Sequence, residues 1–135
     1  MDSISLEILT PEKPIFNEKV ESVTVPGTKG SFQVLKDHAP LMSTIDIGVV
    51  ALKIKDQTSY FTTGGGTIEV KKNKITILAD SMEKVEDIDV DRAQQAKERA
   101  EERIRNKKDS DVDEAKAESA LKRAINRINA KEKYL

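Results

Sequence analysis

Residues 85–104 read VEDIDVDRAQQAKERAEERI, and inside this stretch the chain changes its pattern. Before it, apolar residues recur every second position; after it they recur at helical spacing among Ala, Glu, Lys and Arg. The acids at Glu86, Asp87, Asp89 and Asp91 suit a helix start, where the unpaired N–H groups and the positive end of the dipole favour negative charge. Asp89 reads as the N-cap, with Ile88 and Ala93 at the two staple positions. Capping gives no reason for Arg92, Arg99 and Arg103, whose spacing puts them along a shared flank.

Upstream, the period is two. ISLEI sets Ile4, Leu6 and Ile8 on one side, VTV does the same for Val23 and Val25, and SFQV alternates Phe32 and Val34 with polar neighbours. In IDIGVVALKI the apolar phase passes from Ile45, Ile47 and Val49 to Val50, Leu52 and Ile54, which predicts a bulge or bend at Gly48. IEVKKNKITIL predicts a hairpin about a Lys72-Asn73 turn. Turn signals at Thr10-Pro11, Pro26-Gly27, Ala39-Pro40 and Gly64 to Gly66 complete a run of short strands, the signature of a β-sandwich or barrel over 1–85.

Downstream, all six arginines (92, 99, 103, 105, 123, 127) fall in a segment rich in helix formers. Two helices are expected, about 90–107 and 112–132, the second capped by Asp111 with Glu114 completing a capping box. KKDSD between them is a short polar turn, so the helices should return antiparallel as a hairpin over 86–135. The face expected to be buried is Val90, Ala93, Ala96 or Lys97, Ala100 and Ile104 on the first helix, and Ala117, Ala120, Leu121, Ala124, Ile125 and Ile128 on the second. Burying an alanine methyl contributes about 0.8 kcal/mol, against roughly 1.5–3 for a large side chain. Such a hairpin should be marginal alone and lean on another surface, a ligand or a partner.

Composition removes several function classes. The 135 residues carry 23 Lys and Arg against 24 Asp and Glu, a balance that argues against a general nucleic-acid binder. With no cysteine there is neither a disulfide framework nor a thiolate metal site. No basic leader or long apolar run is present, so a soluble, unprocessed chain is expected.

The single histidine, His38, reads as a packed or turn-capping imidazole before Pro40, since no second histidine or nucleophile accompanies it. The glycines of FTTGGGTIEV lack a following Gly-Lys-Ser/Thr and lead into a strand, so they read as a tight bend or close backbone approach and not as a phosphate loop. Asp109, Asp111 and Asp113 lack the glycine and terminal glutamate of a calcium loop, and no metal site is expected. In LKRAINRINAKEKYL, Lys122, Arg123, Arg127, Lys131 and Lys133 face only Glu132, a face suited to solvent or to an acidic partner. Arg92 and Arg99 either address one anion beside Asp89 and the helix N-terminus, or pair within their own helix with acids such as Glu98 and Glu102.

SLEILTPE, VPGTKGSFQVLKDHAPLMSTIDIGVV, GGTIEVKKNKITILAD and IDVDRAQQAKERAEERI occur in one order and spacing. On these strings the chain resembles the epsilon subunit of bacterial F-type ATP synthases over essentially its whole length. The resemblance implies an α+β fold, an antiparallel sandwich of about ten short strands followed by an antiparallel two-helix hairpin. It implies a non-enzymatic rotor subunit that binds gamma and the c-subunit ring, peripheral on the cytoplasmic face of the bacterial plasma membrane. The hairpin would lie folded down or extend along gamma, the extended form inhibiting ATP hydrolysis.

Lys122, Arg123, Arg127 and Lys131 match the basic surface that meets the catalytic beta subunits in that family. Ile88-Asp89-Val90-Asp91-Arg92-Ala93 is similar to the I(L)DxxRA motif with which some bacterial members bind ATP as a regulatory ligand. Glu83, Arg99, Arg123 and Arg127 match further positions used there. Thr67 is a departure, because an aromatic or larger apolar residue commonly follows the paired glycines. The reading from another class is a free-standing adaptor that holds an acidic protein through its helices.

Overall fold

The alternation upstream of Val85 becomes ten strands: β1 (Ile4–Leu9), β2 (Pro14–Val20), β3 (Ser22–Gly27), β4 (Gly30–Val34), β5 (Leu41–Ile45), β6 (Gly48–Ile54), β7 (Gln57–Thr63), β8 (Gly66–Lys71), β9 (Lys74–Ala79) and β10 (Met82–Lys84). The structure, a computed structural model, describes residues 3–106 and 111–135. Hydrogen bonding runs in the order β10-β7-β6-β3-β5-β8-β9-β1-β2, with β4 also on β3. The path turns over where β3 meets β5, which pair only at Gly27 and Ile45, and this gives two layers. Between them lie the side chains named by the alternation, among them Ile4, Leu6 and Ile8 of β1, Ile68 of β8, and Ile75 and Ile77 of β9, each at most 1% exposed.

Local chemistry sets the turns. Lys72 and Asn73 both take positive φ, 49° and 60°, as do Lys55 and Asp56 at 49° and 65°. A two-residue turn of this hand matches the twist of the strands it joins. Gly66 sits so close to β9 that a methyl there would run into the Leu78 carbonyl oxygen, and Gly65 has φ 100°. The glycines are therefore a close backbone approach, as read.

Two details differ from the sequence reading. The phase change in IDIGVVALKI is sharper than a bulge, because β5 ends at Ile45 and β6 starts at Gly48 with different neighbours: β5 pairs with β8, and β6 with β3 and β7. Gly48 lies against Pro26, where a Cβ would approach the proline ring to 2.8 Å. In addition β1 runs parallel to β9, from Ser5 opposite Lys74 to Leu9 opposite Leu78, within an otherwise antiparallel sheet.

The second unit, Val85–Leu135, starts with a 3₁₀ turn at Val85–Asp87 and contains α1 (Val90–Arg105) and α2 (Asp111–Tyr134). The helices pack on each other, and Lys131 Nζ near the end of α2 donates to the Glu86 carbonyl before α1 at 2.8 Å. The pair is thus antiparallel. Its seam is alanine: Ala93 and Ala100 on α1, Ala117, Ala124 and Ala130 on α2 are at most 3% exposed. Ala96, Lys97, Ile104, Ala120, Leu121 and Ile128 are half-buried beside it.

Val90 and Ile125 were expected in the seam and are exposed, at 39% and 37%. Helices that close on alanines leave no room for larger side chains between them, so these two are turned to a flank. Asp111 is the first residue of α2 and not its cap; the cap position and residues 107–110 of the KKDSD turn lie outside the described residues.

Candidate functional site

Asp89 holds the start of α1 as expected. Its backbone is extended (φ −87°, ψ 104°), its carboxylate accepts from the Arg92 N–H at 3.1 Å, and its carbonyl accepts from Ala93 N at 3.0 Å. Ile88 before it and Ala93 after it are buried, at 4% and 0% exposure. The motif Ile88 to Ala93 therefore fixes where α1 begins and which way its first turn faces.

The arginines follow from that phase. Counting about 100° per residue from the Ala93–Ala100 seam, Arg92 and Arg99 stand on one flank of α1, about 10 Å apart along the axis. On α2, counted from Ala124, Arg123 and Arg127 stand within about 100° of the seam in the same rotational sense. Because α2 runs the opposite way, that sense carries them to the same flank of the hairpin as Arg92 and Arg99. Lys131 beside Glu86 puts the end of α2 next to the start of α1, so Arg123 and Arg127 lie toward the Arg92 end of the hairpin. Arg92, Arg99 and Arg123 are exposed and Arg127 is half-buried.

The alternative of pairing within the helix is not what the structure forms. Among the described residues Arg92, Arg99 and Arg123 enter no ion pair, and the acids of α1 leave their guanidiniums to solvent. Guanidinium is always charged and presents planar paired donors, the geometry that grips phosphate oxygens from two sides. One flank thus carries the exposed Arg92, Arg99 and Arg123, with the half-buried Arg127 among them, drawn from two helices. Val90, Leu121, Ile125 and Ile128 stand on the opposite flank by the same count.

The other expected residues are placed as follows. Lys122 points away from the seam and is exposed. Lys131 is engaged inside the hairpin by the Glu86 carbonyl, a bond no sequence signal announces because its acceptor is a backbone oxygen 45 residues away. Glu83 belongs to β10, opposite Thr62 of β7, in the sandwich unit and not in the unit that carries the arginines. His38 caps its own turn, with its N–H donating to the Leu35 carbonyl at 3.2 Å and Nδ1 lying 2.6 Å from the Ala39 carbonyl. Among the described residues no group of three or more His, Cys, Asp or Glu could hold a metal ion.

Both units have known counterparts. Residues 3–85 match the family model described as the β-sandwich domain of the ATP synthase delta/epsilon chain, and residues 86–132 match that of its long α-helix domain. The chain belongs to the ATP synthase delta/epsilon family. It is 42% identical over 127 residues to the ATP synthase epsilon chain of Desulforamulus reducens, spanning 94% of this chain and 96% of that one. The epsilon chain of Carboxydothermus hydrogenoformans is 45% identical over 103 residues, 76% of this chain and 77% of its own. As an epsilon-type member the chain is a non-catalytic stalk subunit of the synthase.

The fold is also shared with distant complexes. A chain in the Euglena gracilis mitochondrial ATP synthase structure containing OSCP, F1 and c-ring superposes with a TM-score of 0.81 at 19% identity, over 95% of this chain and 81% of that one. One in the central stalk and c-ring of the Tetrahymena thermophila enzyme gives 0.61 at 14%, over 94% and 95%. Among the described residues no helix is long and apolar enough to cross a membrane.

Proposed function

We propose that this epsilon-type subunit is part of the rotor, coupling rotation to ATP synthesis, and that its hairpin is a brake on ATP hydrolysis biased by ATP. The sandwich would bind gamma and the c-subunit ring on the cytoplasmic face of the membrane. The extended hairpin would meet the catalytic beta subunits through Lys122, Arg123, Arg127 and Lys131. The observation that supports the regulatory part is the arginine flank: Arg92 and Arg99 from α1, Arg123 and Arg127 from α2, raised beside the Asp89 cap.

The mechanism needs only linkage. A triphosphate held by guanidiniums of both helices ties α1 to α2, and it stabilises the folded hairpin while leaving an extended one unaffected. A ligand at 100 times its dissociation constant shifts such a balance by about 2.7 kcal/mol. For helices joined along alanines that is a large bias. Ile88 and Ala93, buried on either side of the exposed Asp89 cap, keep Asp89 and Arg92 in register, and ATP acts as a ligand without turnover.

Lys131 adds a condition. Its ammonium spends one of three donors on the Glu86 carbonyl, which ties the end of α2 to the start of α1, so a contact with beta through Lys131 that parts the two helices would require this bond to open first. Isothermal titration of ATP into the wild type and Arg92→Ala tests the site. Heat of binding in the wild type that is lost or strongly weakened in Arg92→Ala is expected, and equal heats in both would remove the site.

A further inference from the structure

One end of the sandwich is a cluster of lysines that the regulatory reading does not use. Lys19, Lys74 and Lys71 fall in one row across four neighbouring strands: Lys19 opposite Ser5, Ser5 opposite Lys74, Lys74 opposite Lys71. Lys72 projects from the turn beside them in the left-handed conformation, φ 49°. Lys36 is brought in by a clip between two turns, in which Asp37 N–H donates to Asn73 Oδ1 at 2.7 Å and Asn73 Nδ2 donates to Asp37 Oδ1 at 3.2 Å. All five lysines are exposed, and none forms an ion pair among the described residues. Glu18 stands one row further from the tip and Glu7 and Glu69 two rows further, Asp37 is engaged by Asn73, and Lys53 with Asp56 makes its own pair at 3.9 Å.

Like charges directly opposite on paired strands destabilise a hairpin. Lys71 and Lys74 are such a pair, with Lys72 between them, so the free protein carries a repulsion that an anionic surface would relieve. The opposite end of the sandwich shows no such excess, since Lys13 and Lys29 share it with Glu12, Asp46 and Asp80.

We infer that this lysine tip rests on the anionic headgroups of a bilayer. Three features favour lipid over an acidic polypeptide. The cations are all lysine, whose point charge suits a diffuse field better than bidentate pairing with a fixed carboxylate. Lys72 stands on the turn itself, with Lys71 and Lys74 at the two strand ends it joins. Leu35, next to Lys36 and 51% exposed, adds an apolar side chain of the kind that enters the headgroup layer. The inference is independent of ATP binding by the hairpin.

Full-length chain would be floated with vesicles of phosphatidylcholine alone or with 30% phosphatidylglycerol, at about 50 and about 200 mM salt. Binding to the anionic vesicles only, weaker at the higher salt, is expected. Lys71→Gln/Lys72→Gln/Lys74→Gln should weaken it roughly 100-fold, at about 5-fold per lysine, and should melt no lower than wild type. The three lysine-to-arginine changes at the same positions should retain binding, and Lys13→Gln/Lys29→Gln should leave it unchanged. Equal binding to neutral vesicles, no loss in the triple Gln variant, or full displacement by polyglutamate but not by inorganic phosphate at equal ionic strength would overturn the inference.

Discussion

The sandwich and the hairpin bury apolar surface in different currencies. Between the sheet layers the fully covered side chains are isoleucine, leucine and valine, while along the helix seam they are alanine. A large aliphatic contributes about two to four times the burial energy of an alanine methyl. The sandwich is therefore held by its own core, and the hairpin has little margin over the entropy of ordering its helices. Regulation can therefore act on only one of the two: a ligand worth a few kcal/mol has nothing to move in the first unit and enough to move the second.

The contrast can be broken at either end. The largest effect is expected from Ile77→Ala, which removes a fully buried side chain from β9 and should cost about 2–5 kcal/mol by denaturant unfolding of the sandwich. A loss below about 1 kcal/mol would mean that the core is not what holds this unit. Next is Asp89→Ala, which deletes the cap of α1 and should destabilise the hairpin by about 1 kcal/mol, read as faster amide exchange in α1 with the β core unaltered. Asp89→Ser keeps a capping oxygen and should restore the exchange rate; if it fails to, the carboxylate has a role other than capping. The smallest is Lys131→Gln, which should loosen the last turns of α2 by about 0.5–1.5 kcal/mol, with Lys131→Arg retaining most of the wild-type protection. Unchanged exchange in Lys131→Gln would show that the bond to the Glu86 carbonyl holds nothing.

Much of this contrast is legible in the residues themselves. Ile4, Leu6 and Ile8 alternate because one face of β1 is covered, and Asp89 caps because its carboxylate is the nearest acceptor for the Arg92 N–H. The two-residue turn at Lys72-Asn73 follows from the same local logic. Other elements leave weaker traces. β7, QTSYFTT, buries Thr62 and Thr63 beside Phe61, so polar letters stand where the pattern looks for apolar ones. β2 is an edge strand with proline first and only Val20 fully covered, which blunts its period.

The parallel pairing of β1 with β9 joins segments some 70 residues apart, and no local signal sets it. At the hairpin, the spacing of Arg92 and Arg99 shows a shared flank within α1. That Arg123 and Arg127 join it depends on the register of two antiparallel helices, which burial of the alanines reveals and composition does not. The same register turns Val90 and Ile125 outward, against the expectation from their hydrophobicity.

Whether the hairpin is the weakly held unit can be read from amide hydrogen exchange on the isolated chain, with and without ATP. β1, β8 and β9 should exchange at the rate of global unfolding in both conditions, while α1 and α2 should exchange orders of magnitude faster without ATP and slow markedly when it binds. Helices as well protected as those strands in the absence of any nucleotide would contradict it.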